Sequence, residues 1–470
     1  MFRIVSYSST RLPALALALT GAAGLLAATP ALAAPKPAPA PVAPKLAMSK
    51  PFQTIAAPLS KAIEAAKTRP DVVAAKAKVT AAENTYNQSQ GTAARAQAKA
   101  ARDAAIVELG TVLAPEKAQL AAATAVATTP DDKYISGQLT IGLGSLALDT
   151  VIQRRGLAAM IDSGKVPAAD LPRLQFFTGS TAYDQHDYAA ARTALTAAVN
   201  GGFHDNDADA LLADAYISDN QAAQGLTLLQ RAIDQRKASG TAAPVSWYRR
   251  GLGAAYKAQL LDQASNFSMG LVQAYPTTEN WSGAITILRE IGHYPAQETL
   301  DLMRLMGRTN SFAEERDYIE YLQAADARRL PGESLKVIEA GLAAGKLRAG
   351  DTFVAESRTT ANARIAADRA SLVALERDAR AGSATASTAS AAGDAFLSYD
   401  QPAKAEALYT IALSKPGVEM AKVLTRLGIA QVDQGNYAGA QATFAKVEGQ
   451  RKAIAQLWAI YAGQKARPAA

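Results

Sequence analysis

The chain has no cysteine, only three histidines and few aromatic residues, which fill 6% of its 470 positions. The first absence excludes a disulfide framework, thiolate metal sites and a cysteine nucleophile. His186, His204 and His293 stand far apart, and none belongs to a ligand pair of the His-x-x-x-His kind that zinc sites use. Val, Ile, Thr and aromatics are too sparse for a large sheet, whereas alanine, the best helix former, fills runs such as AAKAKVTAAEN. An all-α protein is expected. No GxSxG, P-loop or HExxH pattern occurs. The chain is therefore read as no enzyme, with no cofactor, no metal and no catalytic residue.

Charge is also scarcer than it first looks. Lys and Arg exceed Asp and Glu by 49 to 42, a net +7. Arg3, Arg11, Lys36, Lys45 and Lys50 belong to the first 50 residues, which hold no acid, so +2 remains for everything after them. No nucleic-acid partner is expected from so small an excess.

Residues 1–33 read as a secretory signal peptide. Arg3 and Arg11 form a positive start, Leu12 to Leu26 is apolar, and Ala31-Leu32-Ala33 gives the small-x-small cleavage pattern. The expected mature start is Ala34, because Pro35 disfavours the next site. Without cysteine the site is no lipobox, so the product is expected to be soluble rather than lipid-anchored, with no membrane segment after cleavage. Residues 34–50 form a Pro/Ala-rich linker containing PKPAPAPVAPK, whose composition favours extended polyproline II; it is read as a spacer or, preferred, as a disordered lead-in.

From residue 172 a period emerges. Gly179 sits in a first helix, Gln185-His186-Asp187 makes a turn, and Tyr188 opens a second helix with Ala191, Leu195 and Ala198 on one face. The next copy has Leu212, Ala213, Tyr216, Gly225, Leu229 and Ala232, and the step from Gly179 to Ala213 is 34 residues. A third has Leu252, Gly253, Tyr256, Ala264 and Leu271; a weaker fourth has Leu322, Leu335 and Leu342. Two more carry Gly393, Phe396, Ala405, Tyr409, Ala412 and then Leu427, Gly428, Tyr437, Ala440, Phe444, Val447.

This pattern resembles the tetratricopeptide repeat, which pairs small residues at two helix contacts with a Tyr between them at that period. The resemblance places repeats at 172–279, 316–349 and 386–453, with an irregular helix pair at 280–315 and a helical insert at 350–385. Asn280–Gly307 and Asp351–Arg380 are each expected to continue the stack as one irregular pair. An Ala-rich helical region at 51–129 and lead-in helices at 130–171 come before, and a capping helix and tail at 454–470 close the chain. The implied architecture is an α-solenoid, a right-handed superhelix of antiparallel helix pairs. Each repeat would couple mainly to its neighbours, so unfolding is expected to have limited cooperativity.

Three other patterns receive plainer readings. Gly142-Leu143-Gly144-Ser145-Leu146-Ala147 matches a dinucleotide spacing, but the expected strand is missing and a tight helix contact is preferred. Asp205, Asp207 and Asp209 alternate as in a calcium loop, yet Ala210 and Tyr216 replace the required Gly and Glu, so helix capping is preferred. Leu302, Met303, Leu305 and Met306 form an apolar stripe expected in the core.

The resemblance also implies a concave groove lined by the first helix of each pair. Its lining positions would be Phe176, Ser180 and Tyr183, then Ala210, Asp214 and Ile217, then Trp247, Arg250 and Lys257. Aromatics with a few charges are the types that anchor peptides. Some family members clamp acidic chaperone tails with a Lys and Asn pair; Phe176/Ser180, Ala210/Asp214 and Arg250/Ala254 occupy those places here, so that subtype is not expected. The expected function is a non-catalytic scaffold of the bacterial cell envelope, periplasmic, that binds a protein partner in the groove. The alternative is a structural or export-machinery component contacting polysaccharide or peptidoglycan.

Overall fold

The computed structural model describes residues 46–467. The leader, its cleavage site and nearly all of the Pro/Ala-rich stretch lie outside the described residues. Within them the regular structure is helical, with no strand, and the fold is an all-α helical-repeat fold. The chain divides into two compact units, one up to Leu228 and one from Leu229 onward.

The first unit starts with α1 (Lys50–Ala66), α2 (Pro70–Gln88), α3 (Thr92–Val112) and α4 (Ala114–Val126). Pro70 and Pro115 occupy the first turns of α2 and α4, where a missing N–H costs nothing, and Gly91 precedes α3 at φ 85°. The apolar stripe Phe52, Leu59 and Ile63 of α1 buries against Leu113 and Leu120. Arg69 fastens the base of the α2–α3 hairpin, donating to Glu116 Oε1 at 2.6 Å and to the Val112 carbonyl at 2.7 Å.

Next come α5 (Pro130–Leu146) and α6 (Thr150–Asp162). Thr129 and Asp132 form a capping box at the start of α5, and Ala47 N and Ser49 N donate to Asp131 and Asp132, pinning the incoming segment there. The pairs continue with α7 (Leu171–Asp184) and α8 (Tyr188–Asn200), then α9 (Ala208–Ser218) and α10 (Ala222–Ala238). The division between the units falls inside α10.

The second unit contains α11 (Val245–Lys257) with α12 (Leu261–Ala274), α13 (Thr278–Gly292) with α14 (Ala296–Arg308), and α15 (Glu315–Ala325) with α16 (Pro331–Ala343). A single helix, α17 (Thr352–Arg380), follows. Then come α18 (Ala386–Ser398) with α19 (Pro402–Leu413), α20 (Met420–Asp433) with α21 (Tyr437–Phe444), and α22 (Lys452–Lys465).

Two local devices recur at the repeat period. The turn of a pair holds a residue in the left-handed region: His186, Asn220, Asp400 and Gly435, at φ 61°, 59°, 55° and 76°. Such a residue ends a helix by satisfying its last carbonyls, and Asn or Asp tolerates the conformation nearly as well as Gly. The helices of a pair then touch where a glycine faces a bulky side chain sixteen positions later. A Cβ added to Gly179, Gly251, Gly393 or Gly428 would lie 2.3 to 2.6 Å from Leu195, Phe267, Tyr409 or Phe444 respectively.

Two expectations need correction. In the third repeat the contact glycine is Gly251; Gly253 is exposed, with nothing within 4 Å of an added Cβ. Gly251 stands 13 residues before Ala264, against 12 from Gly179 to Ala191 or from Gly393 to Ala405, and this extra residue disturbed the alignment there. Asp351–Arg380 is one 29-residue helix rather than a pair, because neither Gly nor Pro interrupts it after the Asp351 cap. The closing helix covers more than the last pair: α22 packs on α21 and also on α12, α14 and α20. The SATASTAS stretch after Gly382 leads into α18, with the Thr385 side chain accepting from Thr388 N.

Candidate polypeptide-binding site

Within the second unit, α14 and α20 are buried all round. Every residue from Leu300 to Met306 is buried, and so is every residue from Val423 to Val432. A helix without a wet face is enclosed by other elements. Here the enclosure is completed by α22, which packs on its neighbours α20 and α21 and also reaches back to α12 and α14, with hydrogen bonds to α14 that span 157 and 153 residues.

The α22 sequence KAIAQLWAIYAGQK explains how it fits. Ile454, Leu457, Trp458 and Tyr461 recur at helical spacing and are buried, while Lys452 and Lys465 are exposed and Ala459, Ile460 and Gly463 half-buried. Trp458 stacks on Phe444 at 6.2 Å between ring centroids, and Tyr461 meets Trp281 edge-on at 6.3 Å. Its polar atoms reach main-chain carbonyls. Trp458 Nε1 donates to Asp301 O at 2.9 Å, Tyr461 Oη to Arg308 O at 3.1 Å, and Gln464 Nε2 to Val272 O at 2.7 Å. Arg308 and Val272 lie in the last turns of α14 and α12, where carbonyls lack helical partners. The chain's own helix is thus seated by aromatic anchors, the geometry that amphipathic helices use in grooves.

Beneath it lies a closed charge network. Asp301 is 0% exposed and meets Arg304 at 3.2 Å, Arg426 at 3.3 Å, and Arg451. Each arginine has a second acid: Arg304 pairs with Glu333 at 2.7 Å, Arg426 with Asp394 at 2.5 Å and Arg451 with Glu298 at 3.2 Å. Tyr321 Oη adds a bond to Glu333 at 2.7 Å, and Tyr409 Oη one to Asp394 at 2.7 Å. Burial alone would raise the Asp301 pKa, but Arg426, Arg451 and Arg304 outweigh it and hold it below the usual range. Burial opposes ionisation of Glu333 too, yet Arg304 brings its pKa down to about 2. The network fixes α14 against α16, α18, α20 and the segment leading into α22.

The groove positions read from the sequence are distributed over both units. In the first, Phe176 is only 5% exposed and packs on Phe203 at 4.9 Å, so it serves the core. Tyr183 is half-buried, edge-on to Tyr188, with its hydroxyl 3.3 Å from Ser218 Oγ, which sets α7 beside α9. Asp214 is buried and Ile217 half-buried on α9. In the second unit Trp247 is 3% exposed beneath the Arg236 guanidinium, 5.2 Å from its ring centroid; Arg250 is half-buried and Lys257 exposed. Phe176 and Trp247 are thus interior side chains, and Tyr183, Ile217, Arg250 and Lys257 retain surface.

The other patterns are structural in this fold. Gly144 lies within α5, and its added Cβ would be 2.8 Å from Gln153 N of α6. Asp207 is the N-cap residue of α9, though its side chain makes no capping bond, and Asp209 Oδ2 lies 2.8 Å from His204 Nδ1. Among the described residues no group of His, Asp and Glu is arranged to hold a metal ion. Nor is any described helix long and apolar enough to cross a membrane. Sequence reasoning missed Asp301, Arg304, Arg426 and the anchoring role of Trp458. The available signal was charge inside otherwise apolar helical runs, LDLMRLM and VLTRLGIAQV. Compared with known proteins, the chain matches no protein-family model and no curated protein.

Proposed function

We propose that this chain is a non-catalytic interaction scaffold of the bacterial cell envelope, a tetratricopeptide-like helical repeat that binds polypeptide segments. The observation that carries the reading is the seat of α22: the repeat pairs of the second unit hold an amphipathic helix by aromatic anchors and by donors to main-chain carbonyls, two of them in last helical turns. A surface that accepts one helix in this way has the chemistry of a polypeptide-binding face. The leader at 1–33 supports a periplasmic site of action.

Partner capture from envelope extract tests the reading on the first unit. The double variant Tyr183→Ala, Ile217→Ala truncates the half-buried side chains on the first-helix face of α7 and α9, and Ile217 also touches α10 at Gly225. A binding face there predicts loss of the captured polypeptide with helical circular dichroism unchanged, and only mild salt dependence, given the small net charge. Equal capture by both proteins refutes a binding face on those helices. Retention on purified peptidoglycan or polysaccharide, with no polypeptide captured, refutes the polypeptide reading itself.

A further inference from the structure

We infer that the face formed by α12, α14, α20 and α21 is an exchangeable helix-binding groove, whose resident occupant α22 can be replaced by a partner helix carrying Ile-x-x-x-Trp-x-x-Tyr-x-x-Gln. The inference rests on the polypeptide-binding reading and names the partner's chemistry. Ile454, Trp458, Tyr461 and Gln464 define that pattern, at the spacings by which amphipathic helices enter grooves.

Four observations support exchange over permanent core. First, the polar contacts of Trp458, Tyr461 and Gln464 are to main-chain carbonyls, so any helix placing donors at those points satisfies them. Second, the groove's charges close without α22 and its lead-in. If Arg451 leaves, Asp301 keeps Arg304 and Arg426, and those keep Glu333 and Asp394. Third, the outer side of α22 is open. A cleft of about 190 Å³ runs beside it, lined by Gln273, Gln441, Ala459, Ile460, Gly463 and Gln464, with Arg467 at its end. Fourth, the connector is exposed at Ala445, Lys446, Glu448, Gly449 and Gln450, and Gly449 turns at φ 68°. The buried Trp458 and Tyr461 seats would be left open to water by simple departure, so the groove favours replacement over emptying.

The experiment uses the full chain with a protease recognition sequence inserted between Gly449 and Gln450. After cleavage, a fluorescent synthetic peptide of residues 451–467 is added. The expected result is uptake of the peptide with release of the chain's own fragment, while helical circular dichroism is retained. The uncut chain should bind the same peptide at least about 100-fold more weakly, because a tethered helix competes at roughly millimolar effective concentration. A peptide with Trp458→Ala and Tyr461→Ala should bind at least about 30-fold more weakly than the parent, the scale of a lost anchor. A nicked chain that never exchanges its fragment, or that loses its helical signal on cleavage, overturns the inference. The α7–α9 face is untouched by the nick, so failure here leaves capture through that face standing, and failure of capture leaves exchange testable.

Discussion

Replacing Asp301 by Asn tests how much of the second unit depends on one buried charge. The change keeps the shape of the side chain and removes the anion that three guanidinium groups share. Breaking a buried pair from one side typically costs about 3–5 kcal/mol, because the remaining charge is stranded. Here every arginine retains another carboxylate, so about 3 kcal/mol, the low end, is expected. An internal control exists on the same two helices. Arg308 of α14 also pairs with α20, through both oxygens of Asp433 at 2.7 Å, but its side chain is 41% exposed. Removing that pair with Asp433→Asn, which leaves the charge on the half-exposed Arg308, should cost less than about 1 kcal/mol. All three tryptophans, Trp247, Trp281 and Trp458, belong to the second unit, so denaturant unfolding followed by tryptophan fluorescence reports on it selectively. Equal shifts for the two variants, or a shift below about 1 kcal/mol for Asp301→Asn, would refute the assignment of burial as the deciding factor.

The corrected register of the third repeat predicts opposite signs two residues apart. Gly251→Ala drives a Cβ to 2.3 Å from the buried Phe267 ring and should destabilise by about 1–3 kcal/mol, whereas Gly253→Ala meets open space and should stabilise by about 0.5–1 kcal/mol in thermal melts. Ala440→Leu, at a fully buried contact on α21, should likewise cost about 1–3 kcal/mol by overpacking, and a neutral melt would argue against that contact. Glu333, with its pKa at about 2 against an ordinary 4.5, contributes stability that is complete above about pH 4.5 and lost as pH falls toward 2, roughly 3 kcal/mol in all. Asp301 acts in the same direction, so tryptophan-detected stability that stays flat across that interval would contradict the network.

Much of the fold was legible because it is written in local chemistry. Pro70 and Pro115 open helices, and Gly179, Gly393 and Gly428 mark where two helices touch. Each signal acts within one helix pair, so a reading of neighbouring residues finds it. The third repeat failed at its glycine because Gly251 and Gly253 look alike in sequence, and only Phe267, across the turn, distinguishes them. The pairing expected for Asp351–Arg380 imposed a period where no breaking residue supported it. Groove residues were harder still. Phe176 and Trp247 have the composition of anchors, but composition does not say whether an aromatic faces a partner or its own core.

The seat of α22 was invisible for a different reason, and that reason leads to a last prediction. A repeat stack is expected to couple each pair only to the next. In LDLMRLM the Asp301 and Arg304 charges lie at i and i+3, which by itself reads as an ordinary surface pair. What buries them is Arg426, 125 residues later, and Arg451, 150 residues later. Coupling between neighbours alone therefore does not describe the second unit, and the limited cooperativity expected of a repeat array should fail there. Amides of α14 and α20 should exchange with solvent at one common, high opening free energy, since neither helix can loosen without exposing Arg426 and Asp301. Amides of α22 should open at a lower free energy, as an exchangeable occupant requires. Hydrogen exchange under native conditions separates these cases. If α20 opens with its neighbours α19 and α21 well before α14, the long-range network is not what holds the unit closed.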